Sequence, residues 1–263
     1  MIKWLGFGGI FLFAVILVVG CSKKKKEAPT ESNAASYIPF TQGNFWKYRV
    51  QPANADSSAY SAIMKISGTA EIQGEKWVVM ETRNTKSPNN WTKQYFQVTD
   101  KALLLAGWES YNAATGDTSR MFFDAPVKWV SIPFEENKNW TIYHYAGSLT
   151  EAPLAGSVLK SSDLDNDGKP EQVDLTIAGQ SFSEETIEAA GKSFQAVRID
   201  ININAAVTMS QTHLSIPYTL KFGSFWFAPE VGIVKILQYD PNGKVTETWL
   251  LESYYLAPVI GSY

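Results

Sequence analysis

The sequence has one cysteine, Cys21, and two histidines, His144 and His213, in 263 residues. A single thiol rules out internal disulfides and zinc sites built on cysteine. Stability therefore has to come from the core. The chain also lacks a G-x-S-x-G elbow, an H-E-x-x-H pair, a P-loop and a G-x-G-x-x-G turn, so no local motif marks a serine nucleophile, a catalytic zinc or a nucleotide. Each histidine stands among aromatic or β-branched residues, a setting typical of packing or surface positions. Glu135-Glu136 and Glu184-Glu185 are adjacent carboxylates, and neighbours on a strand point to opposite faces, which makes them poor glycosidase pairs. Positive charge is scarce as well. From residue 39 onward there are 18 basic and 24 acidic residues, a balance that argues against nucleic acid, whose binding needs clustered positive charge.

What is there begins with an apolar run, Leu5 to Val19, behind the single charge of Lys3. It is shorter than the roughly 20 residues a spanning helix needs, and it ends in small residues, as a signal peptide does. Val18-Val19-Gly20-Cys21 resembles the lipobox of bacterial lipoproteins. That resemblance implies cleavage before Cys21, a diacylglyceryl group on its sulfur and often an acyl chain such as palmitate on the new amine. The plain alternative is an uncleaved anchor with an incidental cysteine. Two or three chains would hold the protein permanently, since each buried CH₂ contributes about 0.8 kcal/mol. Ser22 fits sorting to the outer membrane of a two-membrane bacterium. With one membrane, the protein would sit on its outer face. Lys23 to Lys26 complicate the sorting, and would attract anionic headgroups if they lie near a bilayer. Residues 27–36 are too polar to offset their ordering entropy. The expected layout is a signal peptide over 1–20, a lipidated cysteine and tether over 21–38, and a single domain over 39–263.

Strand signals dominate that domain. Runs at Phe45 to Val50, Ala62 to Ile72, Lys76 to Thr82, Lys93 to Val98 and Ala102 to Trp108 are separated by turn residues. Val231 to Tyr239 and Val245 to Leu251 flank Asp240-Pro241-Asn242-Gly243-Lys244, the clearest hairpin. In Gln172 to Ile177, Val173, Leu175 and Ile177 share one face. Ser181 to Ala190 fits a short helix or a strand pair. Short links favour antiparallel pairing, and many strands must curl or close to protect their edges. The fold class expected is mainly β, a strongly curved antiparallel sheet, barrel-like or half-barrel.

Three segments carry a family resemblance. YIPFTQGNFWKY (37–48), ETIEAAGKSFQAVRI (185–199) and WFAPEVGIVK (226–235) resemble, in order, segments of the TapB family of bacterial lipoproteins, built on a domain of unknown function. Glu230 stands where that pattern has Gly, and the stretch after Gly191 is one residue longer. The resemblance implies a curved sheet similar to lipoprotein carriers, with no known reaction and no catalytic residues to carry over.

One local motif suggests a ligand. Asp163 to Asp174, DLDNDGKPEQVD, follows the calcium-loop pattern D-x-[DN]-x-[DN]-G except at its end. Asp163, Asp165 and Asp167 take positions one, three and five, the Lys169 carbonyl seven, Glu171 nine and Asp174 twelve. Hard cations want oxygens, and crowded carboxylates want a cation. Asp for Glu at twelve also occurs in dockerin-type loops. Against this, the flanks read as strands and Pro170 removes an N–H, so a solvated acidic turn is the other reading. Calcium, if bound, would be structural.

Eight tryptophans follow the apolar start. They would fill the core, stack on sugars or line a cavity. The function expected is non-enzymatic: a lipid-anchored β domain that binds an apolar or lipid ligand, or a protein partner as an accessory subunit of an envelope assembly. A sugar-binding module or hydrolase ranks below both.

Overall fold

The computed structural model describes residues 37–54, 56–152 and 163–258. Twelve strands form one antiparallel sheet: β1 (Phe45–Pro52), β2 (Tyr60–Ile72), β3 (Glu75–Asn84), β4 (Trp91–Val98), β5 (Ala102–Asn112), β6 (Asp117–Ser131), β7 (Asn139–Ser148), β8 (Gln172–Ala189), β9 (Lys192–Thr208), β10 (Ser215–Ala228), β11 (Gly232–Tyr239) and β12 (Val245–Tyr255). Each strand pairs with its sequence neighbour, except β6 with β7. The first and last strands instead pair with each other, from Phe45↔Tyr255 to Pro52↔Glu247. The sheet is thus nearly closed into a barrel with one seam, between β6 and β7. Phe123 and Tyr143 meet across it at 5.2 Å.

Local chemistry sets the hairpins. Gln73 and Gly74, both at positive φ, make the two-residue turn between β2 and β3, the twist that antiparallel strands favour. Ala190 and Gly191 do the same between β8 and β9. Ser181 to Ala190, readable as helix or strand, belongs to β8 and this turn. Glu230 also adopts a left-handed φ of 62°, a conformation that glycine takes at lower cost.

Alternation sorts the side chains. Trp46, Tyr48 and Val50 of β1 and Val173, Leu175 and Ile177 of β8 join the main core. The outer wall carries charge, including Lys47–Glu252 and Arg120–Glu109 pairs. This is the reverse of a transmembrane barrel, whose outer band is apolar. A smaller apolar cluster of Trp77, Val79, Tyr95 and Ala106 lies apart from the core. Bulges bend the strands: the register slips at Ile66/Gly68 in β2, at Ser181/Glu184 in β8 and at Lys221/Gly223 in β10. Such extra residues supply the curvature that closure needs.

One end of the barrel is filled. Tyr37 and Ile38 are buried in the core, so the last residues of the expected tether belong to the body. Tyr37 packs edge-on against Phe134, and Phe40 stacks on Phe96. Near the same end β11 and β12 part company, their pairing beginning only at Lys235↔Leu250. The freed groups find other partners, as buried backbone must. The tip of the β8–β9 hairpin donates the Ala190 N–H to the Leu251 carbonyl (2.9 Å). Trp46 Nε1–H donates to Val231 (2.6 Å) and the Tyr48 hydroxyl to Ile233 (2.8 Å).

Trp140 of β7 faces Gly179 of β8, and a Cβ on Gly179 would overlap the indole ring. Gly179→Val should therefore displace Trp140 beside the seam and cost about 1–3 kcal/mol, the usual penalty of overpacking. Urea denaturation followed by tryptophan fluorescence checks this. A variant as stable as the parent would contradict the packing.

Candidate functional site: the barrel cavity and the acidic loop

The interior is not filled along its whole length. A cavity of about 1080 Å³ occupies it. Its deep part is apolar: Leu103 and Leu105 of β5, Ile142 of β7, Ile177 of β8, Ile201 of β9 and Phe227 of β10. Ile38 and Phe40 belong to the same lining. Alternation explains the assignment, because Leu103 and Leu105 point inward while Leu104 packs with the separate outer cluster.

Toward the opposite end the lining turns polar. Asn112, Thr115, Asp117 and Ser119 belong to it and are exposed, so the cavity meets solvent there. Phe222, the bulged residue of β10, stands at the same rim and is 46% exposed. Glu247 of β12 lies within the lining and is held in place. It accepts the Tyr60 hydroxyl (2.6 Å) and Trp249 Nε1–H (3.0 Å). Burial, then the hydrogen bond and charge of Glu247, push the Tyr60 hydroxyl above its ordinary pKa, so it remains a donor.

The tryptophans divide between the two roles that composition leaves open. Trp46, Trp77, Trp140 and Trp226 are buried outside the cavity lining, whereas Trp91, Trp108, Trp129 and Trp249 line it. Nothing in the sequence separates the two sets, since inward and outward positions shift at every bulge.

The acidic loop joins β7 to β8. Its carboxylates are drawn together around Glu171, which is fully buried. Glu171 accepts the N–H groups of Leu164 (3.1 Å), Asp165 (3.3 Å) and Ser210 (2.5 Å). Asp163 accepts from Asp167 (3.2 Å) and Gly168 (3.0 Å), and Asp165 from the Gln211 N–H (3.1 Å). Oxygens of Asp163, Asp165 and Glu171 lie within 4.8 Å of one another, and Asp165 Oδ1 is buried without a hydrogen-bond partner.

The expected ligand set is thus only partly assembled. Asp167 turns to Ser210, whose hydroxyl it accepts at 2.7 Å. That bond, then the Lys169 N–H, holds the Asp167 carboxyl below the usual range. Asp174 does not close the loop. It is an exposed residue of β8, with His144 Nε2 at 3.0 Å. β8 begins at Gln172, so the pleat turns Asp174 outward while Val173 and Leu175 turn in. Glu171, expected as the ligand at position nine, lies buried at the centre of the loop. His213 falls in the turn between β9 and β10. Glu135 is tied to Lys138 in the β6–β7 connection, and Glu185 to Arg198 and Trp226. No pair of these stands ready for acid–base work. Cys21 and the rest of the proposed signal and tether up to residue 36 lie outside the described residues.

No protein-family model matches the sequence, and no curated protein matches it. Two solved structures resemble it. One is a protein of Parabacteroides distasonis provisionally named a lipoprotein, with a TM-score of 0.41 and 16% identity over 83% of this chain and 98% of that one. The other, from Bacteroides fragilis, is provisionally named an exported protein with a YmcC-like fold. Its TM-score is 0.35 and its identity 12%, over 82% of this chain and 96% of the other. Neither likeness says anything of function, and the TapB resemblance rests on its three segments alone.

Glu171→Gln would set an amide NH₂ among three backbone donors. The expected loss is about 1.5–3 kcal/mol, the worth of hydrogen bonds to a charged group. Denaturant titration measures it, and an unchanged midpoint would show that the loop does not depend on this carboxylate.

Proposed function

We propose that this protein is a non-enzymatic, lipid-anchored envelope protein whose barrel holds an apolar or amphiphilic ligand. The cavity carries this reading. It has the size of a small-molecule site, with an apolar interior and polar groups gathered at one end, as ligand sites generally do. The lipobox-like Val18 to Cys21 supplies the location, a membrane facing the cell envelope. A second reading, an accessory subunit, draws on the outer wall. There Phe45 and Tyr255 stack at 5.9 Å, and Ile63 and Leu250 are also exposed.

Alkyl ligands separate the two. Each buried CH₂ contributes about 0.8 kcal/mol, so affinity should rise about fourfold per methylene until the cavity is full. Leu105→Trp, which fills the deep end, should weaken binding of a dodecyl ligand at least tenfold. Calorimetry with alkyl glucosides of graded length provides the measurement. Flat affinity along the series, or binding indifferent to Leu105→Trp in a folded variant, would reject the cavity and leave the outer wall.

In the same reading calcium has a structural part. Asp163, Asp165 and Glu171 offer hard oxygens, and the unpartnered Asp165 Oδ1 has the most to gain. A bound ion would pin the β7–β8 connection to the β9–β10 turn through the shared Ser210 and Gln211 contacts. Extracellular calcium modules bind in the range of about 10⁻⁴–10⁻³ M. Millimolar calcium should therefore raise the melting temperature, and Asp165→Asn should remove that rise. No heat on titration and no response to chelator would remove the site.

A further inference from the structure

Resting on the cavity reading, the geometry points to the chemical class of the occupant: an amphiphile whose head is uncharged and rich in hydroxyls. The first observation is a row of side-chain hydroxyls. Thr82 pairs with Thr92, Thr92 with Ser110 and Ser110 with Ser119, so four hydroxyl residues stand side by side across β3 to β6. All four belong to the cavity lining. Ser110 and Ser119 touch at 2.6 Å, and either can donate. A hydroxyl rotates to donate or accept as its partner requires. A row of four can follow the alternating donors and acceptors of a sugar or glycerol head. Two register positions toward the apolar end, on the same face, Gln94 pairs with Trp108. An amide and an indole beside hydroxyls extend the same chemistry, since a ring face accepts the C–H side of a polyol.

The second observation is charge. Among the described residues, the lining holds three Asp, Glu, Lys or Arg side chains: Asp117, Lys221 and Glu247. Lys221 is already spent, because its ammonium lies 2.7 Å from the buried Asp200 carboxylate. Glu247 is fixed by two neutral donors, Tyr60 and Trp249. An anionic head would therefore meet a held negative charge in a site of reduced dielectric and, among the described lining residues, no uncommitted ammonium. Two further lysines stand near aromatic residues of the site, Lys86 at 5.9 Å from the Tyr60 ring and Lys93 at 4.5 Å from the Trp91 ring. Neither belongs to the lining; Lys86 is exposed and Lys93 half-buried, so water and salt reach and screen both charges.

The test uses the full chain reconstituted in nanodiscs, with N-phenyl-1-naphthylamine as a neutral probe. Energy transfer from Trp108, Trp129 and Trp249 reports probe held inside the barrel. Four dodecyl competitors are compared at pH 8: the maltoside, monolaurin, laurate and dodecyl phosphate. The maltoside and monolaurin should displace the probe at concentrations at least tenfold lower than the two anions. The double variant Thr92→Val/Ser110→Ala should close most of that gap by weakening the neutral pair alone. Glu247→Gln should close part of it from the other side, by improving the anions. Anions that compete as well as the neutral pair, or a preference for anions that Lys86→Ala or Lys93→Ala abolishes, would overturn the assignment while leaving the cavity reading intact. Failure of the probe to show any energy transfer would overturn both.

Discussion

The pairing of β1 with β12 is the constraint on which the rest of the structure depends. Every other ladder joins strands that are neighbours in sequence. This one joins residues about two hundred positions apart, Phe45 to Tyr255 at one end and Pro52 to Glu247 at the other. It turns a long meander into a barrel, and only then do the two faces of the sheet become an inside and an outside. The cost of bringing such distant segments together grows slowly with loop length. The energetic burden therefore falls on the contacts that secure the closed form: the Trp46 bond to Val231 just before β11, the Tyr48 bond to Ile233 of β11 and the Ala190 bond to β12.

Strand number then dictates a cavity. Eight strands enclose a space that side chains can just fill, and wider barrels leave room. Twelve strands with a seam cannot be filled by inward side chains alone. The chain fills one end by other means, with Tyr37 to Phe40 and the long β8–β9 tip, and leaves the other lined but unfilled. The seam stays between β6 and β7, where Phe123 and Tyr143 touch but no ladder forms. Apolar depth, a row of hydroxyls and a fixed carboxylate thus follow from where alternation points each residue once the barrel has closed.

Much of the architecture was legible in local patterns. Turn chemistry marked the hairpin at Asp240 to Lys244, and alternation marked the inward face of Val173, Leu175 and Ile177. The site was less legible, because it depends on events distant in sequence. The bulge at Phe222 and the slip at Ser181/Glu184 change which residues face inward without leaving a local trace. The row from Thr82 to Ser119 exists only in the register of four strands. The acidic loop shows the same limit. Its spacing suggested a ring ending at Asp174, but β8 begins at Gln172 and the pleat turns Asp174 away, so that Glu171 becomes the centre. Tyr37 and Ile38 read as tether because a polar stretch precedes them, yet Tyr37 packs on Phe134 and Ile38 lines the cavity.

The central claim is that the inward face, and not the outer wall, meets the ligand. Methyl-labelled NMR with a bound dodecyl maltoside tests it most directly, since the side chains of β5 alternate between the two faces. The account predicts intermolecular cross-peaks from the alkyl chain to Leu103, Leu105, Ile201 and Ile203, and none to Leu104 or Ala106. Cross-peaks to Leu104, Ala106, Ile63 or Leu250, with the interior methyls silent, would contradict it.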